Sequence, residues 1–155
     1  MPKFKQIQND DPIQDVIKSA FDANYAVSGG WGYSQELATV IHHTDVPLAQ
    51  FEHVLASMRA YLEMNMTLPK EERYGSINLN ETHREQSIQN SLLYDKVTYE
   101  ITALKEDLYT QFINEYKEGY GKEEFDMTEH FNQRKKVTLH RTVEYWFEVS
   151  QIIKS

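Results

Sequence analysis

The sequence predicts an all-α protein, a compact bundle of about five helices, because three long segments place their apolar residues at helical spacing. These segments are residues 48–66, 92–117 and 138–153. Apolar residues that recur every three or four positions lie on one face of a helix. In the second segment this face consists of Leu93, Val97, Ile101, Leu104, Leu108 and Phe112. We therefore expect the last two helices to form a long antiparallel pair.

Residues 137–153 decide the fold class, and their pattern has two interpretations. As a strand, the stretch would alternate apolar and polar residues, but Arg141 would interrupt the apolar face and Trp146 would join the polar one. Helical steps of about 100° per residue instead gather the polar side chains in one arc. That arc consists of His140, Arg141, Glu144, Glu148 and Gln151. We therefore predict a helix with Trp146 in the core and Glu148 in solvent.

The first part of the chain contains three predicted helices. Asp11 and Pro12 have the residue types of an N-cap and of a first helical position. The helix that they begin is expected to end before Gly29. A short helix is predicted at Gln35–His43, and a longer one at residues 48–66.

In the second part of the chain, the helical pattern is weak at the beginning and stronger towards the end. Residues 78–91 contain few apolar side chains and give the least certain pattern. Val97–Ile101 is typical of a strand when taken alone, but the spacing of its neighbours favours a helix. Asp126 and Glu129 have the spacing of a capping box, which predicts that the last helix begins there.

Composition limits the classes of protein to consider. The 155 residues are enough for a single helical domain, 1–155, in which the polar residues 1–10 are expected to be flexible. The net charge of −8 opposes binding to nucleic acid and to anionic membranes. The chain has no cysteine and no apolar run of membrane-spanning length. We therefore expect a cytoplasmic protein.

The glycine-rich stretch 28–33, Ser-Gly-Gly-Trp-Gly-Tyr, is the most unusual local feature of the sequence. Glycine permits backbone conformations and close approaches that other residues do not. One hypothesis is a ligand loop in which Trp31, Tyr33 and the nearby His43 contact a small molecule. The alternative is a tight turn between helices, with the two aromatic side chains filling the core.

Histidine pairs suggest two metal sites, and neither is favoured. His42 and His43 lie near His53 in the predicted bundle, but adjacent residues of a helix point about 100° apart. His140 and Glu144 are one helical turn apart, and an exposed polar face explains this spacing better than a metal site does. We therefore expect neither a metal nor a cofactor.

Arg134 and His140 have the spacing of the Arg and His pair in HEPN-type helical ribonucleases, and the stretch resembles that family in these two residues. The resemblance implies that His140 would move a proton and that Arg134 would stabilise the phosphorane. The surrounding residues depart from the family pattern. Lys135 occupies a position where Asn is common, and Arg141 follows the histidine where Gly is frequent.

The leading functional hypothesis is a non-enzymatic interaction or regulatory module, since the sequence contains no established catalytic motif. The alternatives are a small-ligand or metal-binding protein using residues 28–33 and nearby histidines, and a HEPN-like ribonuclease using Arg134 and His140. A protein partner is expected, and the candidate is a second copy of the chain in a homodimer. The last predicted helix has a wide apolar face, and Tyr99, Ile113 and an alanine stripe in the helix at 48–66 add further apolar surface. Folding of residues 69–91 over that surface is the competing explanation.

Overall fold

The computed structural model describes residues 4–7, 11–66, 68, 69, 72–119, 121, 122 and 126–153. It contradicts the all-α prediction, because these residues combine four α-helices with a five-stranded mixed sheet. The helices are α1 (Ile13–Phe21), α2 (Leu48–Tyr61), α3 (Glu106–Gly119) and α4 (Met127–Val137). The strands are β1 (Val27–Gly29), β2 (Thr39–Ile41), β3 (Tyr74–Gln89), β4 (Leu92–Lys105) and β5 (Leu139–Glu148). The fold class is α+β.

The strands follow the order β1-β2-β5-β4-β3 across the sheet. β3, β4 and β5 are antiparallel neighbours, with Tyr99 opposite both Glu81 and Val143. β2 joins β5 in parallel, and β1 adds an antiparallel edge strand. The long β3–β4 hairpin turns at Asn90 and Ser91, which both have positive φ, as a type I′ turn requires.

The prediction of a helix at residues 138–153 was wrong, because Arg141 is compatible with the buried face of a strand. Tyr145 and Phe147 on β5 are fully buried, as alternation requires. Arg141 lies on the same face, where its Nη1 is 3.0 Å from Glu63 Oε1. Trp146 lies on the opposite face, with the ammonium of Lys96 5.5 Å from its ring centroid. Both side chains that argued against a strand are therefore accommodated by partners.

The predicted helix at residues 92–117 is also corrected, since its first half is β4 and only its second half is α3. Val97 and Ile101 are separated by four residues, a spacing that places them on one face of either a helix or a strand. Tyr99 and Ala103 distinguish the two structures, because they are buried with Val97 and Ile101 on alternate positions. The described residues therefore contain no long antiparallel pair of helices.

Other predicted elements were confirmed in part. The predicted helix at 48–66 is α2, extended by a π-helical turn at Leu62–Met66. α1 is shorter than predicted and stops before Asp22, whose φ is 53°. The backbone N–H of Glu129 donates to Asp126 Oδ1 at 3.0 Å, as the capping box predicts. The predicted helix Gln35–His43 was wrong, because Thr39–Ile41 within it form β2.

The hydrophobic core lies between the first two helices and one face of the sheet. Ile13 and Ile17 of α1 and Phe51 and Leu55 of α2 belong to the same buried cluster as the inward-facing residues of β4 and β5. α3 and α4 contact each other, and α3 also contacts β3 and β4. None of the described helices is both long enough and apolar enough to cross a membrane.

Residues 4–7, within the segment that was expected to be flexible, contact the folded chain. Phe4 lies 5.6 Å from the ring of Tyr74, and the guanidinium of Arg141 is 4.5 Å from the Phe4 ring centroid. Residues 1–3 and 8–10 of the same segment lie outside the described residues.

Two neighbouring aromatic residues test the orientation of β5. Phe147→Ala should lower the free energy of unfolding by about 3–5 kcal/mol, because it empties a fully buried aromatic site. Trp146→Ala should cost less than about half as much, since Trp146 is only partly buried on the opposite face. Chemical denaturation of both variants measures the difference, and a larger loss for Trp146→Ala would contradict the strand orientation.

Candidate functional site

One side of α2 buries ionisable groups against the sheet. Glu52 and Arg59 are two helical turns apart, and Glu63 follows one turn later in the π-helical turn. Their exposed fractions are 0%, 2% and 3%. Charged groups are rarely buried to this extent unless they are paired or hydrogen-bonded. The partners of these three residues therefore define the polar interior of the protein.

Arg59 is enclosed by two aromatic rings and two backbone carbonyl groups. Its guanidinium carbon lies 4.6 Å from the ring centroid of Tyr33 and 4.4 Å from that of Tyr145. Its Nη1 donates to the carbonyl oxygen of Trp31 at 3.1 Å, and Nη2 donates to that of Glu144 at 2.9 Å. Arg59 therefore fastens the glycine-rich stretch and β5 to α2.

Glu63 contacts Arg59 of α2 and also side chains of the glycine-rich stretch and of β5. The Tyr33 hydroxyl donates to Glu63 Oε2 at 2.6 Å, and Arg141 approaches Oε1 as described above. The Tyr33 oxygen also accepts the backbone N–H of Ile7 at 2.9 Å. Burial and the hydrogen bond to Glu63 raise the pKa of Tyr33 above its usual value. Tyr33 therefore acts as a hydrogen-bonded spacer inside the protein.

The glycine-rich stretch is held close to β2 and β5. Gly32 N donates to Leu37 O at 2.7 Å, and Gly32 O accepts Trp146 N at 2.8 Å. Gly32 has a φ of 78°, and a side chain there would collide with the ring of Tyr145. The stretch needs glycine because the chain passes directly against that ring.

Two hydroxyl groups beside this stretch form consecutive hydrogen bonds that run in one direction. Thr39 Oγ1 donates to Gly30 O at 2.6 Å, and its single proton is used there. The Tyr145 hydroxyl, 2.8 Å from the same oxygen, must therefore donate to Thr39. Burial raises the pKa of Tyr145 to about 12, so this hydroxyl keeps its proton at neutral pH.

A second polar cluster surrounds Glu52 at the other end of α2. Arg84 Nη1 donates to Glu52 Oε1 at 2.7 Å and lies 3.3 Å from Asp95 Oδ2. Arg84 also binds both carboxylate oxygens of Glu81. Gln86 donates to Asp95 Oδ1 at 3.0 Å. One guanidinium thus faces three carboxyl groups, contributed by α2, β3 and β4.

Glu52 carries a proton in this cluster. Burial, the hydrogen bond to Asp95 and the charge of Asp95 raise the pKa of Glu52 to about 9. The geometry agrees, because Glu52 Oε2 is buried and accepts no hydrogen bond from the described residues. A carboxyl that keeps its proton is neutral, which suits a position with no exposed surface.

A cavity of about 360 Å³ opens between the end of α1, the outer side of α2 and the beginning of β3. His53 and Ser57 line it from α2, and Tyr61 lies one turn further along the same side. The other walls are apolar and consist of Phe21, Val54, Met58 and Ile77. The cavity therefore combines an apolar lining with a few polar groups, as small-molecule sites do.

The predicted ligand residues do not share one site in the described structure. Trp31 is buried and offers its carbonyl oxygen to Arg59, and Tyr33 contacts the same guanidinium. His43 is instead exposed, with Nε2 2.8 Å from Asp45. The hypothesis that these residues bind a ligand stays a prediction.

The histidines near the glycine-rich stretch have separate partners. His42 contacts Ser28 and Gln151 through its two ring nitrogens. His53 contacts the carbonyl oxygen of Leu79. In the described part of the chain, no three His, Asp or Glu side chains are arranged to hold a metal ion.

Arg134 and His140 lie in different elements, α4 and β5, so the helical context that the ribonuclease resemblance implies is lacking. The guanidinium of Arg134 is 5.9 Å from the ring centroid of Tyr109. His140 faces Glu100 across the sheet, with Nδ1 and Oε1 3.4 Å apart.

Sequence reasoning missed the Glu52 cluster and the cavity. Arg84 and Asp95 lie in segments that were interpreted as exposed or helical, and only the β3–β4 register brings them together. One signal was present in the sequence: Glu52 is three or four residues from Leu48, Leu55 and Ala56, so it lies on their side of the predicted helix. A carboxyl on that side of a helix requires a partner.

Comparison of the chain with protein-family models, with curated proteins and with solved structures found no match. The geometry described above therefore carries the functional argument.

Gly32→Ala should lower the free energy of unfolding by about 2–4 kcal/mol, because it adds a collision with Tyr145 to a positive φ. Gly121→Ala is the matched control. Gly121 has a φ of 82°, but a side chain there would meet no atom of the described residues within 4 Å. Denaturation should show a loss of about 1–2 kcal/mol for the control. Equal losses would contradict the close approach at Gly32.

Glu52→Gln should remove a pH dependence of stability. The folded-state pKa of Glu52 is raised from 4.5 to about 9, so its contribution to stability is complete below pH 4.5 and is lost as pH rises to 9. The amide of Gln reproduces the protonated carboxyl, including its donor and acceptor. The stability difference between variant and wild type should therefore grow by roughly 1 kcal/mol per pH unit between pH 5 and 9.

Denaturation at a series of pH values measures this difference. Glu36→Gln, at an exposed position, is the control and should follow the wild type. A pH-independent difference for Glu52→Gln would show that Glu52 is ionised in the folded protein.

Proposed function

We propose that this protein is a non-enzymatic binding protein that takes up a small, largely apolar molecule in the cavity between α1, α2 and β3. The observation that carries the proposal is the cavity itself, whose volume of about 360 Å³ lies in the usual range for ligand sites. One monocyclic or bicyclic molecule therefore has room in this space.

The attachment of α2 to the sheet supports a preformed ligand site. Its sheet-facing side is held by Glu52 and Arg59, so the outer side presents His53, Ser57 and Tyr61 from a fixed helix. Tyr61 is 43% exposed and stands at the mouth of the cavity. A ligand would thus meet side chains that require little rearrangement, which favours affinity.

The positions of the titratable groups with shifted pKa values support a binding role and not a catalytic one. Glu52, Tyr33 and Tyr145 have strongly raised pKa values, but each is engaged with internal partners and none lines the cavity. Perturbed groups of an active site would instead face the ligand space. Their role here is to hold α2 on the sheet.

The wider expectations about partners and compartment remain part of the proposal. The cysteine-free sequence supports a cytoplasmic location. A homodimer stays a prediction, although Tyr99, Ala56 and Ala60, which suggested it, are buried within the chain.

Filling the cavity should abolish ligand binding. Indole, titrated into the isotope-labelled protein, should shift the amide signals of Val54, Ser57 and Ile77, with a dissociation constant on the order of 1 mM or tighter. Ser57→Trp, on the cavity side of α2, should abolish these shifts because the new ring occupies the space.

Gln50→Trp is the matched control, since it adds the same ring at an exposed position of α2 that does not line the cavity. This variant should bind indole as the wild type does. Unchanged binding by Ser57→Trp, or shifts scattered away from the cavity, would contradict the proposal.

A further inference from the structure

His53 has one ring nitrogen committed inside the protein. Its Nε2 lies 3.0 Å from the carbonyl oxygen of Leu79 on β3. A carbonyl oxygen only accepts, so Nε2 carries the proton and donates. In the neutral ring the lone pair then lies on Nδ1, which is a hydrogen-bond acceptor. The contact with β3 therefore fixes which tautomer His53 adopts.

Nδ1 of His53 makes no hydrogen bond to any residue that the structure describes. His53 is exposed and lines the cavity, and its ring also meets Tyr99 edge to face at 6.0 Å between centroids. The neighbouring Ser57 hydroxyl donates elsewhere, to the backbone oxygen of His53 at 2.9 Å. The exposed imidazole, which belongs to one of the residues lining the cavity, thus keeps an acceptor that no described residue uses.

We infer that the cavity selects small aromatic molecules that carry one hydrogen-bond donor, as phenols do, with the donor against Nδ1 of His53. This inference rests on the ligand site proposed above and adds the chemistry that the site recognises. The apolar walls suit an aromatic ring, and Nδ1 supplies one directional contact. A site with an unmatched polar group discriminates against ligands that leave it unpaired.

Carboxylates fit this site less well than phenols. A carboxylate has no proton to give to Nδ1, and its charge would repel the lone pair there. Glu81 lies close enough to His53 to interact with it electrostatically, and the whole chain carries a charge of −8. Both effects disfavour an anion at the imidazole. Benzoate should therefore bind more weakly than phenol.

Phenol and anisole form the matched ligand pair, because methylation of the oxygen removes the donor and keeps the ring. Each is titrated into the isotope-labelled protein, with benzoate as a third ligand, and the amide shifts around the cavity give the affinities. The wild type should bind phenol about three- to tenfold more tightly than anisole, the effect of one neutral hydrogen bond. His53→Phe should remove this preference.

Two further variants serve as controls for the loss of phenol preference in His53→Phe. His43→Phe changes an exposed histidine that does not line the cavity and should retain the preference for phenol. His53→Gln offers an amide that donates to Leu79 and an oxygen that accepts, so it should retain part of the preference. If His53→Phe loses both ligands, His53→Gln decides: a retained preference supports the inference, and equal affinities overturn it.

The outcomes separate this inference from the proposed function. Equal affinities of phenol and anisole for the wild type, with shifts at the cavity, would overturn the role of Nδ1 and leave the ligand site intact. Failure of phenol, anisole and indole alike to shift the cavity amides would overturn both. A preference for phenol that persists in His53→Phe would assign the donor contact to another group and overturn the inference.

Discussion

Buried charge on one side of α2 constrains much of this structure. Glu52 and Arg59 face the sheet from the helix itself, and Glu63 follows in the π-helical turn. An uncompensated buried charge is strongly unfavourable, so each group needs partners within hydrogen-bond reach. Those partners come from the N-terminal loops, the β3–β4 hairpin and β5. When the buried charges of α2 and its π-helical turn find these partners, distant parts of the chain are held in fixed positions relative to one another.

This constraint accounts for features that have no local explanation. Arg141 occupies the buried face of β5 because Glu63 lies opposite it, and the backbone at Gly32 passes against the Tyr145 ring that covers Arg59. The raised pKa of Glu52 has the same origin, since burial disfavours its charged form and the nearby carboxyl of Asp95 adds to the effect. The same anchoring leaves the opposite side of α2 to form a cavity with His53 in its wall. Structural and proposed functional roles are thus divided between two sides of one helix.

The sequence indicated parts of this arrangement and concealed others. The capping box at Asp126 and the helix at 48–66 are local patterns, and both were predicted correctly. β4 was mistaken for a helix because Val97 and Ile101 are spaced by four residues, which suits both periods. The glycine-rich stretch was recognised as unusual. Of its two interpretations, the tight turn with buried aromatic side chains resembles the observed packing of Trp31. The cavity could not be predicted, because its walls come from α1, α2 and β3.

The sequence by itself determined the properties that depend on composition and short-range pattern: the acidic net charge, the absence of thiols, α2 and the cap of α4. Only the tertiary structure decided that residues 139–148 form a strand. A helix and a strand differ there in whether Arg141 and Trp146 find partners, and those partners, Glu63 and Lys96, are distant in sequence. Local periodicity carries no information about contacts between residues so far apart in sequence. The fold class therefore depended on pairings that exist only after folding.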